Sequence, residues 1–202
     1  MPLSTLALFA LTVLPLVCTP GPDVLFISAQ GMARGRGAAL RADLGVLVGY
    51  VAHGVLAAFG VAALVAAYPL LFEALRWAGV CYLACLALLM IRSALRPGPA
   101  RVAPPSAGAL LVRGFLTSFL NPKGLLLFFA ILPQFIDPAG SVAIQAGLLS
   151  AVFIAMCGLV YGALGLAAAS AARTGMTDRS RRILEGTAGG LLAMAAGRMA
   201  SS

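Results

Sequence analysis

Two charged side chains lie within long apolar stretches of this sequence, and they are the residues best suited to chemistry. Asp23 interrupts an apolar run that begins at Leu3, and Lys123 interrupts another in the second half. If these runs cross a membrane, such charges typically mark substrate or ion pathways. Asp23 can accept a proton or a substrate ammonium, and Lys123 can meet a carboxylate, so the pair suits a zwitterionic amino acid. The alternative is a structural pair whose two charges neutralise each other.

Each of these charges adjoins a proline-containing break in its apolar run. Proline removes a backbone donor and clashes with the carbonyl one turn earlier, so neither run continues as one helix. A broken helix frees amide donors and carbonyl acceptors, and its half-helix dipoles can face a substrate's charges. The candidate substrate- and proton-binding residues at the two breaks are Pro20, Gly21, Pro22 and Asp23, then Asn121, Pro122 and Lys123.

The composition places these runs in a membrane. Of 202 residues, 61% are hydrophobic and 10% are charged, whereas soluble domains have about 45–50% apolar and about 25% charged residues. A membrane span needs about 20 apolar residues, so we predict an all-α integral membrane protein with about six transmembrane helices. The predicted spans are 3–32, 40–67, 70–95, 111–136, 142–171 and 183–200, with the first and fourth helices broken at the proline motifs.

The basic residues predict the orientation of the spans. Thirteen of the 14 are Arg, and most lie between apolar runs, as the positive-inside rule produces. This distribution favours a membrane partner over nucleic acid. Alternate connections carry the following residues: Arg34, Arg36, Arg41, Arg92, Arg96, Arg101, Arg113, Arg173, Arg179, Arg181 and Arg182. Both termini are therefore predicted to be extracytoplasmic, which places both breaks about 15 Å deep, near the midplane.

The chain is predicted to form a single transmembrane domain of two halves. A Pro/Gly/Ala-rich cytoplasmic linker, 97–109, separates the three-helix halves 1–96 and 110–202, and a shift of 102 residues places Pro20 on Pro122. Halves with three spans each must have opposite orientations, which is the inverted-repeat plan of many secondary transporters. Paired breaks in corresponding positions indicate a binding site between the halves, and alternating access around it.

Other motifs point less directly to function. His53 lies about mid-span in the second predicted helix, where it is either a hydrogen-bonded interhelical residue or a proton relay. The Gly45-x-x-x-Gly49 and Gly158-x-x-x-Gly162 spacings predict close helix packing, either within the bundle or in a homo-oligomer. No pattern indicates a metal site or a cofactor. The sequence has no phosphate-binding loop or nucleophile constellation, so we predict neither an enzyme nor an ATP-driven pump.

The motif residues also carry a family resemblance. The segments 19–24 (TPGPDV), 119–123 (FLNPK) and 132–135 (LPQF), together with Gly31, Gly35 and Gly37, resemble the lysine exporter (LysE) family of bacterial amino-acid efflux proteins. The resemblance covers essentially the whole chain. It implies a multi-pass exporter of amino acids or small amino-acid derivatives in the bacterial inner membrane, driven by exchange with protons.

Two alternatives of other classes remain at the level of the sequence. Membrane thiol–disulfide electron carriers of the CcdA type place one redox cysteine beside the proline break in each half. Here Cys18 precedes the first break, but Leu120 stands at its counterpart, and an intramolecular dithiol cycle needs two thiols. The second alternative is a channel or a non-transporting scaffold, which flux measurements distinguish from an exporter.

Overall fold

The described part of the chain is helical. The computed structural model describes residues 1–19, 21–59, 106–121, 123–124, 127–137 and 139–173, with scattered positions between 77 and 197. No strand occurs among these residues. The helices are α1 (Leu3–Cys18), α2 (Pro22–Arg34), α3 (Arg36–Ala58), α4 (Ala107–Phe119) and α5 (Val142–Arg173), with a π-helical turn (Leu127–Ile131) and a 3-10 turn (Leu132–Phe135) between α4 and α5. The predicted all-helical class is confirmed.

Several of these helices are suited to a bilayer. Helices α3 and α5 are each long and apolar enough to cross it, and α1 with α2 form a third candidate whose two parts are inclined by 57°. The 32 residues of α5 extend about 48 Å, enough to cross a hydrocarbon core of about 30 Å at a tilt. Most residues of the predicted spans 70–95 and 183–200, and of the linker 97–109, lie outside the described residues.

The connections of the first three helices follow from Gly and Pro chemistry. Pro22 lies in the first turn of α2, where a missing backbone donor costs nothing. Helix α2 ends at Gly35, whose φ of 82° lies in the left-handed region that glycine tolerates. Helix α3 begins at the next residue, so it starts four residues before the predicted boundary at 40. Helices α2 and α3 therefore form a tight hairpin.

Small residues bring α3 close to α4 and α5. A Cβ added to Gly45 would lie 3.0 Å from the Cα and carbonyl carbon of Leu111, and one added to Gly158 would lie 3.1 Å from the Leu47 side chain. The hydroxyl of Ser118 on α4 also donates to the Val46 carbonyl at 2.8 Å. The predicted close packing at these glycines is confirmed, and it occurs within the chain.

Candidate functional site

The carboxylate of Asp23 lies where three parts of the bundle meet. Asp23 is in the first turn of α2 and is 1% exposed. Its Oδ2 accepts hydrogen bonds from the hydroxyl of Tyr50 on α3 and from Nδ2 of Asn121, the latter at 2.8 Å. Its Oδ1 is buried and has no hydrogen-bond partner among the described residues. One oxygen of this carboxylate is thus held by the protein, and the other is available for a proton or a ligand.

Asn121 connects the two segments that the sequence analysis singled out. The residue follows the C-terminal end of α4 and is completely buried. Its Nδ2 donates to Asp23, and its Oδ1 accepts from the backbone N–H of Lys123 at 3.0 Å. Both ends of the amide are therefore used, which orients the side chain and ties the second break to the first.

Lys123 crosses from the second break to the first. Its Nζ donates to the carbonyl oxygen of Thr19 at 2.8 Å, just beyond the end of α1. A Cβ added to Gly21 would lie 3.6 Å from Cδ and 3.8 Å from Nζ of Lys123, so the lysine stem lies along this segment. The Nζ atom is also 5.9 Å from the ring centroid of Tyr161 on α5. The ammonium is thus anchored on a backbone carbonyl, while the donors to Asp23 are Tyr50 and Asn121.

His53 lies beside this site, in an aromatic cluster. Its ring stacks on Phe119, with centroids 4.9 Å apart, and on Phe128, with centroids 5.5 Å apart. A Cβ added to Gly124 would lie 3.6 Å from its Cδ2. These contacts place His53 between α3 and residues near the second break.

The predicted site residues thus fall into three groups. The structure brings Gly21, Asp23, Asn121 and Lys123 together, with Pro22 supporting the start of α2. His53 is a neighbour of this cluster. Pro20 and Pro122 lie outside the described residues.

Sequence reasoning missed three buried polar residues near the site: Tyr50, Tyr161 and Asp43. Tyr50 is one turn from His53 on α3, so helical spacing would have placed both on one face. The Tyr161 hydroxyl is buried on α5. Asp43 is 6% exposed and lies three residues after the predicted start of the second span at 40. Since α3 starts at Arg36, Asp43 lies about 10 Å inside the helix.

Among the described residues, no group of three or more His, Cys, Asp or Glu side chains could hold a metal ion. The cluster instead combines a carboxylate, an ammonium, an amide and a phenol in a buried setting. Groups of this kind bind and exchange protons and small charged molecules.

Comparison with known proteins identifies the family. The model of the LysE type translocator family matches residues 14–202. An uncharacterized membrane protein of Pseudomonas aeruginosa is 32% identical over 163 residues, which cover 76% of this chain and 74% of that protein.

Other similar proteins have functional names, among them two leucine efflux proteins. A leucine efflux protein of Enterobacter sp. is 32% identical over 149 residues, covering 72% of this chain and 70% of that protein. A leucine efflux protein of Klebsiella pneumoniae is 34% identical over 124 residues, covering 60% of this chain and 58% of its own length. The alignment thus spans less than two thirds of the Klebsiella protein. No solved structure matches the chain. The resemblance carried by the two proline motifs is confirmed: the chain belongs to the LysE type translocator family.

Proposed function

We propose that this protein is a secondary-active exporter of amino acids or small amino-acid derivatives in the bacterial inner membrane, coupled to protons and working by alternating access. Membership of a translocator family and similarity to two leucine efflux proteins support amino-acid export. The observation that carries the mechanism is the buried Asp23 carboxylate, which has one unpartnered oxygen close to an anchored lysine ammonium.

The chemistry of the cluster suits a zwitterion. A buried carboxylate oxygen without a donor is costly, because its desolvation is not compensated. A substrate ammonium or a proton at Oδ1 of Asp23 relieves this cost. Lys123 bonds to a neutral carbonyl, and a substrate carboxylate is a stronger partner because both groups are then charged. The α-amino and α-carboxyl groups of an amino acid thus each find a partner of opposite charge.

A proton and a substrate ammonium compete for Oδ1 of Asp23, and this competition couples substrate transport to proton transport. When Oδ1 of Asp23 carries a proton, the carboxyl group no longer attracts an ammonium. Asp23 is protonated from the extracytoplasmic side as the substrate leaves there, and it releases the proton inside, where the next substrate binds. This sequence exchanges substrate for protons without a further cofactor.

The way in which the two halves meet supports alternating access. The first half contributes Asp23, Tyr50 and the Thr19 carbonyl, and the second contributes Asn121 and Lys123. The shift of 102 residues relates the two breaks as the repeats of an inverted-topology transporter. Movement of one half against the other would open the cluster to each side in turn.

Replacing Asp23 with Asn tests proton coupling. The purified variant, reconstituted in liposomes, should lose transport driven by a pH gradient, because an amide cannot carry the proton. Substrate counterflow needs no net proton movement and should persist. The matched control is Asp137→Asn, since Asp137 is exposed in the turn before α5. Undiminished gradient-driven transport by Asp23→Asn would refute the role of this carboxylate.

Replacing Lys123 with Ala tests substrate recognition. The apparent KM for leucine, the substrate named for two relatives, should rise at least tenfold. The KM for leucinamide, which has no carboxylate, should change much less. Equal effects on both compounds would contradict a contact between Lys123 and the carboxylate. An export screen of amino acids and dipeptides in a strain without its own exporters identifies the natural substrate.

Counterflow also separates an exporter from the remaining alternatives. A channel shows no trans-stimulation by substrate on the opposite side, and a scaffold shows no flux. Trans-stimulated uptake of labelled leucine by the reconstituted protein therefore supports a carrier, and its absence with every compound from the screen contradicts one.

A further inference from the structure

A second layer of buried polar groups lies beyond the Asp23 site, toward the basic end of the α2–α3 hairpin. Asp43 on α3 is 6% exposed, and its Oδ1 has no hydrogen-bond partner in the part of the chain that the structure describes. In the same part of the chain, the Oε1 of Gln30 on α2 is also buried without a partner. Native proteins leave few buried side-chain oxygens unpaired, so each such group calls for a specific explanation.

Helical spacing aligns this layer with the Asp23 site. Gln30 follows Asp23 by seven residues on α2, and Asp43 precedes Tyr50 by seven residues on α3. Seven residues are about two helical turns, or about 10 Å, so each pair shares one helical face. Because the helices form a hairpin around Gly35, Gln30 and Asp43 lie about 8 and 12 Å from the turn, within one helical turn of the same level.

Helix α5 leaves room for the Asp43 side chain. A Cβ added to Gly162 would lie 3.0 Å from Oδ2 of Asp43, so the carboxylate occupies the space above this glycine. The preceding residue, Tyr161, has a buried hydroxyl, and its ring faces the Lys123 ammonium. Buried polar atoms thus continue from the Asp23 site to the level of Asp43.

We propose that Asp43 is a second proton-carrying carboxylate, which passes protons between Asp23 and the end of the bundle that carries Arg34, Arg36 and Arg41. This inference rests on the proposed proton coupling at Asp23. In the transfer, an O–H bond of protonated Asp23 breaks and one forms on the Asp43 carboxylate, which then releases its proton at the basic end. No electrons are exchanged.

The groups around Asp43 are suited to this transfer. Among the described residues, the titratable groups that interact with it are Asp23 from α2 and Cys157 from α5. Neither of these two groups is a cation, so neither holds the Asp43 carboxylate in a salt bridge. A relay needs a carboxyl group that can both take up and give up a proton, and a permanent salt bridge would prevent this.

The first test compares three variants in liposomes. Asp43→Asn keeps the side-chain volume beside Gly162 but cannot carry a proton. We expect it to lower pH-gradient-driven transport of leucine at least tenfold and to keep counterflow within twofold of wild type. Asp43→Glu should recover part of the gradient-driven rate, and the exposed Asp137→Asn should match wild type. Wild-type gradient-driven rates in Asp43→Asn, or an equal loss of both activities, would overturn the proposal.

The second test does not depend on transport. Infrared spectra recorded during a pH titration of the reconstituted protein should contain a protonated-carboxyl band that is missing in Asp43→Asn and present in Asp23→Asn. Identical spectra for wild type and Asp43→Asn would overturn the proposal. If the band is found but wild type shows no response to a pH gradient, proton coupling fails while proton binding at Asp43 stands. Transport driven by a sodium gradient at constant pH and abolished in Asp43→Asn would assign the residue to sodium and overturn the proton role.

Discussion

The contact between α3 and α4 allows a prediction that depends on geometry alone. This contact brings Tyr50 of α3 and Asn121, which follows α4, to the same oxygen of Asp23, Oδ2. At its centre, a Cβ on Gly45 would lie 3.0 Å from two backbone carbons of Leu111, whereas carbon atoms pack best at about 3.5–4.0 Å. The carbonyl oxygen of Leu111 lies closer still, so in Gly45→Ala the two helices must separate by about 1 Å.

The expected loss of stability in Gly45→Ala follows from overpacking. Extra atoms in a well-packed interior typically cost about 1–3 kcal/mol. For a chain of this size, about 1 kcal/mol lowers the melting temperature by about 2–4 °C, so the loss should be about 2–12 °C. This loss in melting temperature is measured on the purified protein in one detergent, by heating samples to a series of temperatures and monitoring unfolding by gel filtration.

Two comparisons make this measurement specific. Gly147 on α5 has no atom within 4 Å of an added Cβ, so Gly147→Ala should melt at or above the wild-type temperature, since Ala is the better helix former. The obstacle to Gly45→Ala is the backbone of Leu111, so a further Leu111→Ala substitution should not restore stability. Equal melting of Gly45→Ala and wild type, or rescue by Leu111→Ala, would show that the helices are not in backbone contact here.

Further predictions concern the hydrogen bonds of the site. Tyr50→Phe removes one of two donors to Asp23. Hydrogen bonds to charged groups contribute about 1.5–3 kcal/mol, so gradient-driven transport should fall about tenfold to a hundredfold in liposomes, and a change below twofold would contradict the contact. Asn121→Asp keeps an acceptor for the Lys123 amide but sets a second carboxylate against Asp23, so its transport rate should lie below that of Asn121→Ala; the reverse order would refute this geometry. Cys18 is exposed and free, so Cys18→Ser should transport at the wild-type rate, and loss of transport would favour a thiol–disulfide carrier.

Much of this protein was predictable from local sequence. Runs of apolar residues specify membrane helices because the backbone must satisfy its own hydrogen bonds in lipid. The predicted fifth span, 142–171, differs by two residues from α5. The predicted start positions of the helices were less accurate, because a single capping residue can shift the first residue of a helix. Ser106 accepts a hydrogen bond from the Ala109 amide and starts α4 at Ala107, four residues before the predicted boundary at 111.

The sequence by itself also determined which groups were candidates for the site. Charge within apolar runs singled out Asp23 and Lys123, and proline chemistry singled out the segments around them. Both are local properties that depend on residue type and its immediate neighbours. The motifs also indicated the family, and the match of the family model over residues 14–202 confirms it.

Only the tertiary structure decided which atoms meet. The partners of Asp23 are 27 and 98 residues away in the chain, and the partner of the Lys123 ammonium is 104 residues away. Helical periodicity tells which residues share a face but not which face of another helix they touch. The hairpin at Gly35 and the small residues of α3, α4 and α5 set those contacts. They place Tyr50 on Asp23, anchor Lys123 on a carbonyl, and bury Asp43 beside Gly162.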